Sequence, residues 1–194
     1  MFHHIANGIV GRAIKQKIIH EEQKEEYTYG LELSMTVLLN GITVVVIGLL
    51  MGMPLETIGF WLIYNILKKY TGGFHFNSSA VCYISTCIMC VLVLYLIRIC
   101  PFDTLLYSVL AVVSGGITFA LSPVPAIQKP LDEKEEQVFG KIARILVLVT
   151  VILYFICILC HLNYVAKIFA FGIISVALFA IAGKIKYVLC ARKN

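Results

Sequence analysis

Two side chains carry the chemistry this sequence can do. Cys82 offers a sulfur nucleophile, and His75, seven positions before it, offers a base. His75 is the only histidine between His20 and His161. Both stand in the stretch from Lys68 to Cys82, a polar, glycine-containing break between two strongly apolar runs. A cysteine activated by an adjacent histidine is an acyl-transfer nucleophile. On one continuous helix the two residues would lie two turns apart, roughly 10 Å, too far for a proton to pass. The intervening residues offer another geometry. Gly72 and Gly73 free the backbone ahead of His75, and Asn77, Ser78 and Ser79 are all good helix N-caps. The pattern therefore predicts His75 on a loop and Cys82 in or near the first turn of a helix. A helix N-terminus and a neighbouring His⁺ both favour the thiolate.

Several residues around the pair are candidates for supporting roles. Lys68 and Lys69 either add positive potential near the sulfur or act as anchors that set membrane topology. Ser78 and Ser79 either cap the helix or donate to an oxyanion. Gly72 and Gly73 are assigned to backbone geometry, with their N–H groups near that oxyanion. Glu32, at the inner end of an apolar run, either orients His75, holds substrate, or is a solvated boundary carboxylate.

The elements that must position these residues are membrane helices. Of the 194 residues, 60% are apolar and 14% charged, and the mean hydropathy is +0.90. Average soluble domains are about 25% charged. The apolar residues fall in long uncharged runs, the mark of an all-α integral membrane protein. Residues 1–30 hold Ile5, Ile9, Val10, Ile14, Ile18 and Ile19 among Arg12, Lys15, Lys17 and Lys24, which predicts an amphipathic helix on the cytoplasmic membrane surface. No cleavable signal peptide is expected, since the first apolar run starts near Leu31. Residues 31–194 are expected to form a single polytopic domain of about six spans. The first runs from Leu31 to about Met53. The second, Leu55 to Leu67, covers roughly 20 Å against a hydrocarbon core of roughly 30 Å and is short or re-entrant. The others are Ala80–Ile97, Thr104–Ser122, Ile142–Cys160 and Tyr164–Gly183. Three prolines forbid a helix through Pro123, Pro125 and Pro130. With the N-terminus inside, only Arg98 and Lys167 of the 16 basic residues fall outside. The positive-inside rule then puts both termini and the His75–Cys82 stretch in the cytoplasm.

The run Lys68-Lys69-Tyr70-Thr71-Gly72-Gly73-Phe74-His75-Phe76-Asn77-Ser78-Ser79, with Cys82 three positions on, resembles the accessory gene regulator B (AgrB) family of bacterial membrane endopeptidases. Gln128-Lys129-Pro130-Leu131 looks like that family's loop after the fourth span, and Gly30-Leu31-Glu32 like its motif at the start of the first. The likeness covers essentially the whole chain, and the stretch from His75 to Cys82 is its most specific part. It implies a cysteine peptidase of the bacterial cell membrane, with Cys82 as nucleophile, His75 as base and then acid, and Lys129 as a possible substrate contact. The implied partner is a short AgrD-like precursor peptide. Its tail is cleaved off and the acyl-enzyme is closed by a thiol or hydroxyl of the peptide, giving a thiolactone or lactone for quorum sensing. It also implies a homodimer and no cofactor.

Other readings are weaker. Cys157-Ile158-Leu159-Cys160-His161 matches a c-type haem attachment pattern, but it ends an apolar span and no haem-enclosing domain follows. Cys82, Cys87 and Cys90 lie at about 0°, 140° and 80° around a helix, a poor match with His75 to a tetrahedral zinc site. Seven cysteines, an odd number mostly inside spans, do not read as a disulfide framework. A net charge of +5 does not imply nucleic acid, because no soluble domain presents a basic face. The main alternative is a non-enzymatic transporter or scaffold, whose activity would survive Cys82→Ser.

Overall fold

A computed structural model describes residues 2–74, 79–124 and 132–191. Within them the chain forms seven α-helices: α1 (His3–Lys15), α2 (Lys24–Leu50), α3 (Pro54–Thr71), α4 (Ser79–Ile99), α5 (Thr104–Leu121), α6 (Glu133–Leu159) and α7 (Asn163–Ala191). A 3-10 turn, Glu21–Gln23, joins α1 to α2. No strand is present among the described residues; one isolated bridge pairs Gly72 with Val124. Five helices, α2 and α4 to α7, are long and apolar enough to cross a bilayer. The fold is that of an all-α, multi-pass membrane protein.

Outward-facing leucines and isoleucines such as Leu38, Leu50, Ile88 and Leu105 are more than half exposed. On a soluble protein such a surface would aggregate; against lipid tails it costs nothing. Lipid also removes the hydrophobic drive for helix association, so close packing and polar contacts must hold the bundle. The packing centres on α7. Of its most apolar stretch 61% is buried, against 11–28% in the other four long helices. Ala166, Ala170, Ala177 and Ala180 let its neighbours approach.

The expected short second helix is α3. It reaches Thr71 and not merely Leu67, about 27 Å at 1.5 Å per residue. Thr57, Phe60, Tyr64, Leu67 and Thr71 repeat every three or four positions and form its buried stripe. Leu55, Ile58, Leu62 and Ile66 face outward. Lys68 to Thr71, read from sequence as the start of a polar break, are therefore the last turn of this helix. Thr71 continues the buried stripe, and cations suit a helix C-terminus.

The helix ends sort into two sets. The ends of α3, α5 and α7 lie with the starts of α4 and α6: Gly72 meets Val124, Gly73 meets Phe179, and Gly140 of α6 meets Pro123. At the other end the Tyr164 hydroxyl donates to Glu56 Oε1 at 3.0 Å. There the Lys167 ammonium donates to the carbonyls of Ile97, at 2.5 Å, and Cys100. Asp103 caps α5, its Oδ1 accepting from the Leu106 N–H at 3.0 Å.

The turn between α6 and α7 accounts for the haem-like motif. His161 has φ +58°, its N–H donates to the Ile158 carbonyl, and the Leu162 N–H donates to the Cys157 carbonyl. That is a helix C-terminal closure with a left-handed residue.

Candidate functional site

The sequence expects Cys82 beside a helix start, and the structure puts that start at Ser79. Cys82 is thus the fourth residue of α4, in its first turn, and is half-buried. Its carbonyl accepts from the Thr86 hydroxyl at 3.0 Å. The next residue, Tyr83, shares a hydroxyl–hydroxyl bond of 2.7 Å with Thr43 of α2. His75, Ser78 and Lys129 lie outside the described residues, as does the side chain of Ser79. The chain on the N-terminal side of His75 is described as far as Phe74, one residue away.

That approach is held by backbone. Gly72 has φ +70° and Gly73 φ +130°, conformations that favour glycine. The Val124 N–H donates to the Thr71 carbonyl at 2.9 Å, and Gly72 pairs with Val124, so a Cβ at Gly72 would strike the Val124 carbonyl. One residue on, the Phe74 N–H donates to the Phe179 carbonyl of α7 at 2.9 Å. The two glycines thus take part in two different backbone contacts.

The two lysines part company. Lys69 is exposed, with its ammonium 5.3 Å from the Tyr70 ring centroid. Lys68 turns inward. Its ammonium donates to the Tyr64 hydroxyl at 2.8 Å and lies 5.1 Å and 4.7 Å from the ring centroids of Tyr64 and Phe179. Such cation–π contacts, partly desolvated, are worth about 0.5–2 kcal/mol each. Lys68, Tyr64 and Phe179 thus form one cluster at the end of the bundle where α3 stops.

Glu32 makes a different set of contacts. Its carboxylate is 3.3 Å from His3 Nδ1 of α1. Along α2 it lies about 16 Å from Thr43, which marks the level of Tyr83. Among the described residues no three His, Cys, Asp or Glu side chains converge as a metal site would require. A cleft of about 310 Å³ opens beside the Ser122–Val124 turn, lined by Pro123, Glu136, Gln137, Gly140 and Arg144. The Arg144 guanidinium lies over the Phe119 ring at 5.7 Å.

Sequence reading missed Tyr64, Val124, Phe179 and Gly183. Tyr64 could have been found, since it precedes Lys68 by one helical turn. Gly183 had no local signal, because its partner is Gly73, distant in the chain.

Comparison with known proteins identifies relatives. The family model described as Accessory gene regulator B matches residues 3–181. Two AgrB-like proteins of Clostridium perfringens, from strain SM101 / Type A and from strain 13 / Type A, are each 28% identical over 140 residues. Each match covers 66% of this chain and 65% of the relative, just under two thirds of the relative's length. No solved structure matches the chain.

Proposed function

The chain belongs to the accessory gene regulator B family, and on that premise we propose that it is a membrane-embedded cysteine endopeptidase that matures a signalling peptide. The observation that carries the reading is Cys82 in the first turn of α4, next to a loop whose approach to His75 is pinned on the same end of the bundle. His75 is no more than four residues from Ser79, a reach of about 14 Å at most, so the loop can bring its imidazole over the start of α4.

The reaction then follows from the groups. His75 takes the thiol proton and the Cys82 sulfur attacks the carbonyl carbon at the end of the segment destined to become the ring. The carbon–nitrogen bond breaks, His75 protonates the departing amine of the C-terminal tail, and a thioester joins the peptide to Cys82. A thiol or hydroxyl within the bound peptide attacks that thioester, its proton passes to His75, and the thiolactone or lactone leaves as the Cys82 thiol re-forms. A site with restricted water favours this closure over hydrolysis.

Lys68 is assigned a supporting role: it stabilises negative charge on the sulfur and on the tetrahedral oxyanion. Gly72 and Gly73 shape the loop. Ser78 and Ser79 cap α4 or donate to the oxyanion, and Lys129 contacts the precursor. Glu32, bound to His3, is better suited to fastening α1 to α2 than to orienting His75. Lys69, exposed, is a membrane-surface anchor. The partner is an AgrD-like precursor, the location is the bacterial cytoplasmic membrane with both termini inside, and a homodimer remains the expected assembly.

The test is direct. Vesicles containing the wild-type chain, incubated with the precursor, accumulate a peptide thioester on Cys82, seen by mass spectrometry as a mass adduct on the peptide bearing that residue. Cys82→Ala and His75→Ala are expected to lower cleavage by at least about a thousandfold. Cleavage at the wild-type rate by either variant refutes the mechanism and favours a transporter or scaffold.

A further inference from the structure

α7 carries a seat for the chain that leads into His75. Phe179, Gly183 and Lys186 recur at i, i+4 and i+7, so they share one face of the helix. All three meet Phe74, and Phe179 and Gly183 meet Gly73 as well. The Phe179 carbonyl accepts from the Phe74 N–H at 2.9 Å. The Lys186 ammonium lies 4.8 Å from the centroid of the Phe74 ring. Between them, a Cβ on Gly183 would stand 2.5 Å from the Gly73 carbonyl carbon and 2.7 Å from the Phe74 nitrogen. Both obstacles are backbone and cannot rotate aside. From the other side, a Cβ on Gly73 would come within 3.1 Å of the Phe179 carbonyl oxygen. Two backbones therefore touch through paired glycines.

This contact differs from ordinary helix packing. A small residue between two helices sets their separation. Gly183 faces a non-helical segment one residue from His75. The helix offers that segment a hydrogen bond, a gap and a cation in successive turns.

We propose that Gly183 is a positioning residue: the α7 face formed by Phe179, Gly183 and Lys186 sets where His75 stands relative to Cys82. The inference rests on the Cys82–His75 reading. It predicts that any side chain at Gly183 unseats Gly73 and Phe74 and uncouples the pair while the bundle stays folded.

The probe is iodoacetamide, which needs no precursor. The full chain in detergent is alkylated across about pH 5 to 9, and modification of Cys82 is resolved by mass spectrometry. His75→Ala defines the profile of an uncoupled cysteine. Gly183→Ala is expected to reproduce that profile, with a wild-type unfolding temperature. Gly116→Ala, whose added methyl meets nothing within 4 Å, is expected to match wild type. With the precursor in hand, Gly183→Ala is expected to lower kcat by about 100-fold, as misplacement by about 1 Å does, and to leave KM within about twofold. Should Gly183→Ala fail to fold, Lys186→Met is read in its place, with a shift in the same direction. The proposal is overturned if the folded variant keeps the wild-type profile while His75→Ala departs from it. If His75→Ala itself keeps that profile, the cysteine–histidine pair is refuted, and the seat loses its role with it.

Discussion

Lys68 and Lys69 look interchangeable in sequence and have opposite surroundings. One full helical position, about 100°, turns Lys68 toward Tyr64 and Phe179 and Lys69 toward the exterior. An ammonium held in a half-buried site, at an effective dielectric near 20, feels a nearby charge by a few kcal/mol at most. Loss of about 1–2 kcal/mol of such stabilisation slows a reaction by roughly tenfold. Lys68→Gln is therefore expected to lower precursor cleavage about tenfold or more, while Lys69→Gln stays within about twofold. Parallel progress curves on the two variants check this, and equal losses would return both lysines to the role of topology anchors. The same pair shows what was readable beforehand. The pattern of Asn77, Ser78 and Ser79 announced a helix start and so placed Cys82 in a first turn. Nothing local told Lys68 from Lys69, because the difference is made by Phe179, a residue of the last helix.

At the scale of elements, the helices were legible and their ends less so. The span expected over Thr104–Ser122 is observed as Thr104–Leu121, because Asp103 caps it and prolines follow. The segment expected over Leu55–Leu67 runs on to Thr71, because its buried stripe does not stop at the first charge. Lys167 shows what sequence does not give. Counted from sequence as an outer-face cation, it is 5% exposed and closes the carbonyls at the end of α4 from its place on α7. Removing the donor strands two acceptors, and each buried unsatisfied group costs about 1–3 kcal/mol. Lys167→Met is expected to lower the unfolding midpoint in detergent by several degrees, without altering the alkylation profile of Cys82. A thermal scan with a thiol-reactive dye reads the first. A midpoint at or above wild type would mean that the α4 carbonyls are satisfied in some other way.

The whole molecule is a bundle with two unlike ends. Lys68, Lys69, Lys141, Arg144, Lys184 and Lys186 gather where Gly72, Val124 and Gly140 meet, whereas Arg98 and Lys167 stand at the end marked by Glu56 and Tyr164. By the positive-inside rule the first end is expected to face the cytoplasm. Two exposed native cysteines report on this. Cys160 lies at the turn between α6 and α7, and Cys190 near the end of α7. In intact cells a membrane-impermeant maleimide is expected to label Cys160 and to spare Cys190 until the membrane is opened. The reverse pattern would turn the molecule over and put the loop before His75 on the outside.

The contact of Gly73 and Phe74 with α7 also has a meaning in time. A ribosome delivers Phe74 more than a hundred residues before Gly183, and membrane helices enter in roughly that order. Gly72 can pair with Val124 once α5 has been made, but until then and for most of the remaining synthesis Gly73 and Phe74 lack their own partner. That partner arrives only with the final helix, α7. A chain cut short before α7 would still hold Cys82 and His75 in its sequence, yet would lack the surface that Gly73 and Phe74 contact. On the proposed cysteine–histidine reading, that order of assembly is expected to withhold alignment of the pair until the bundle is complete.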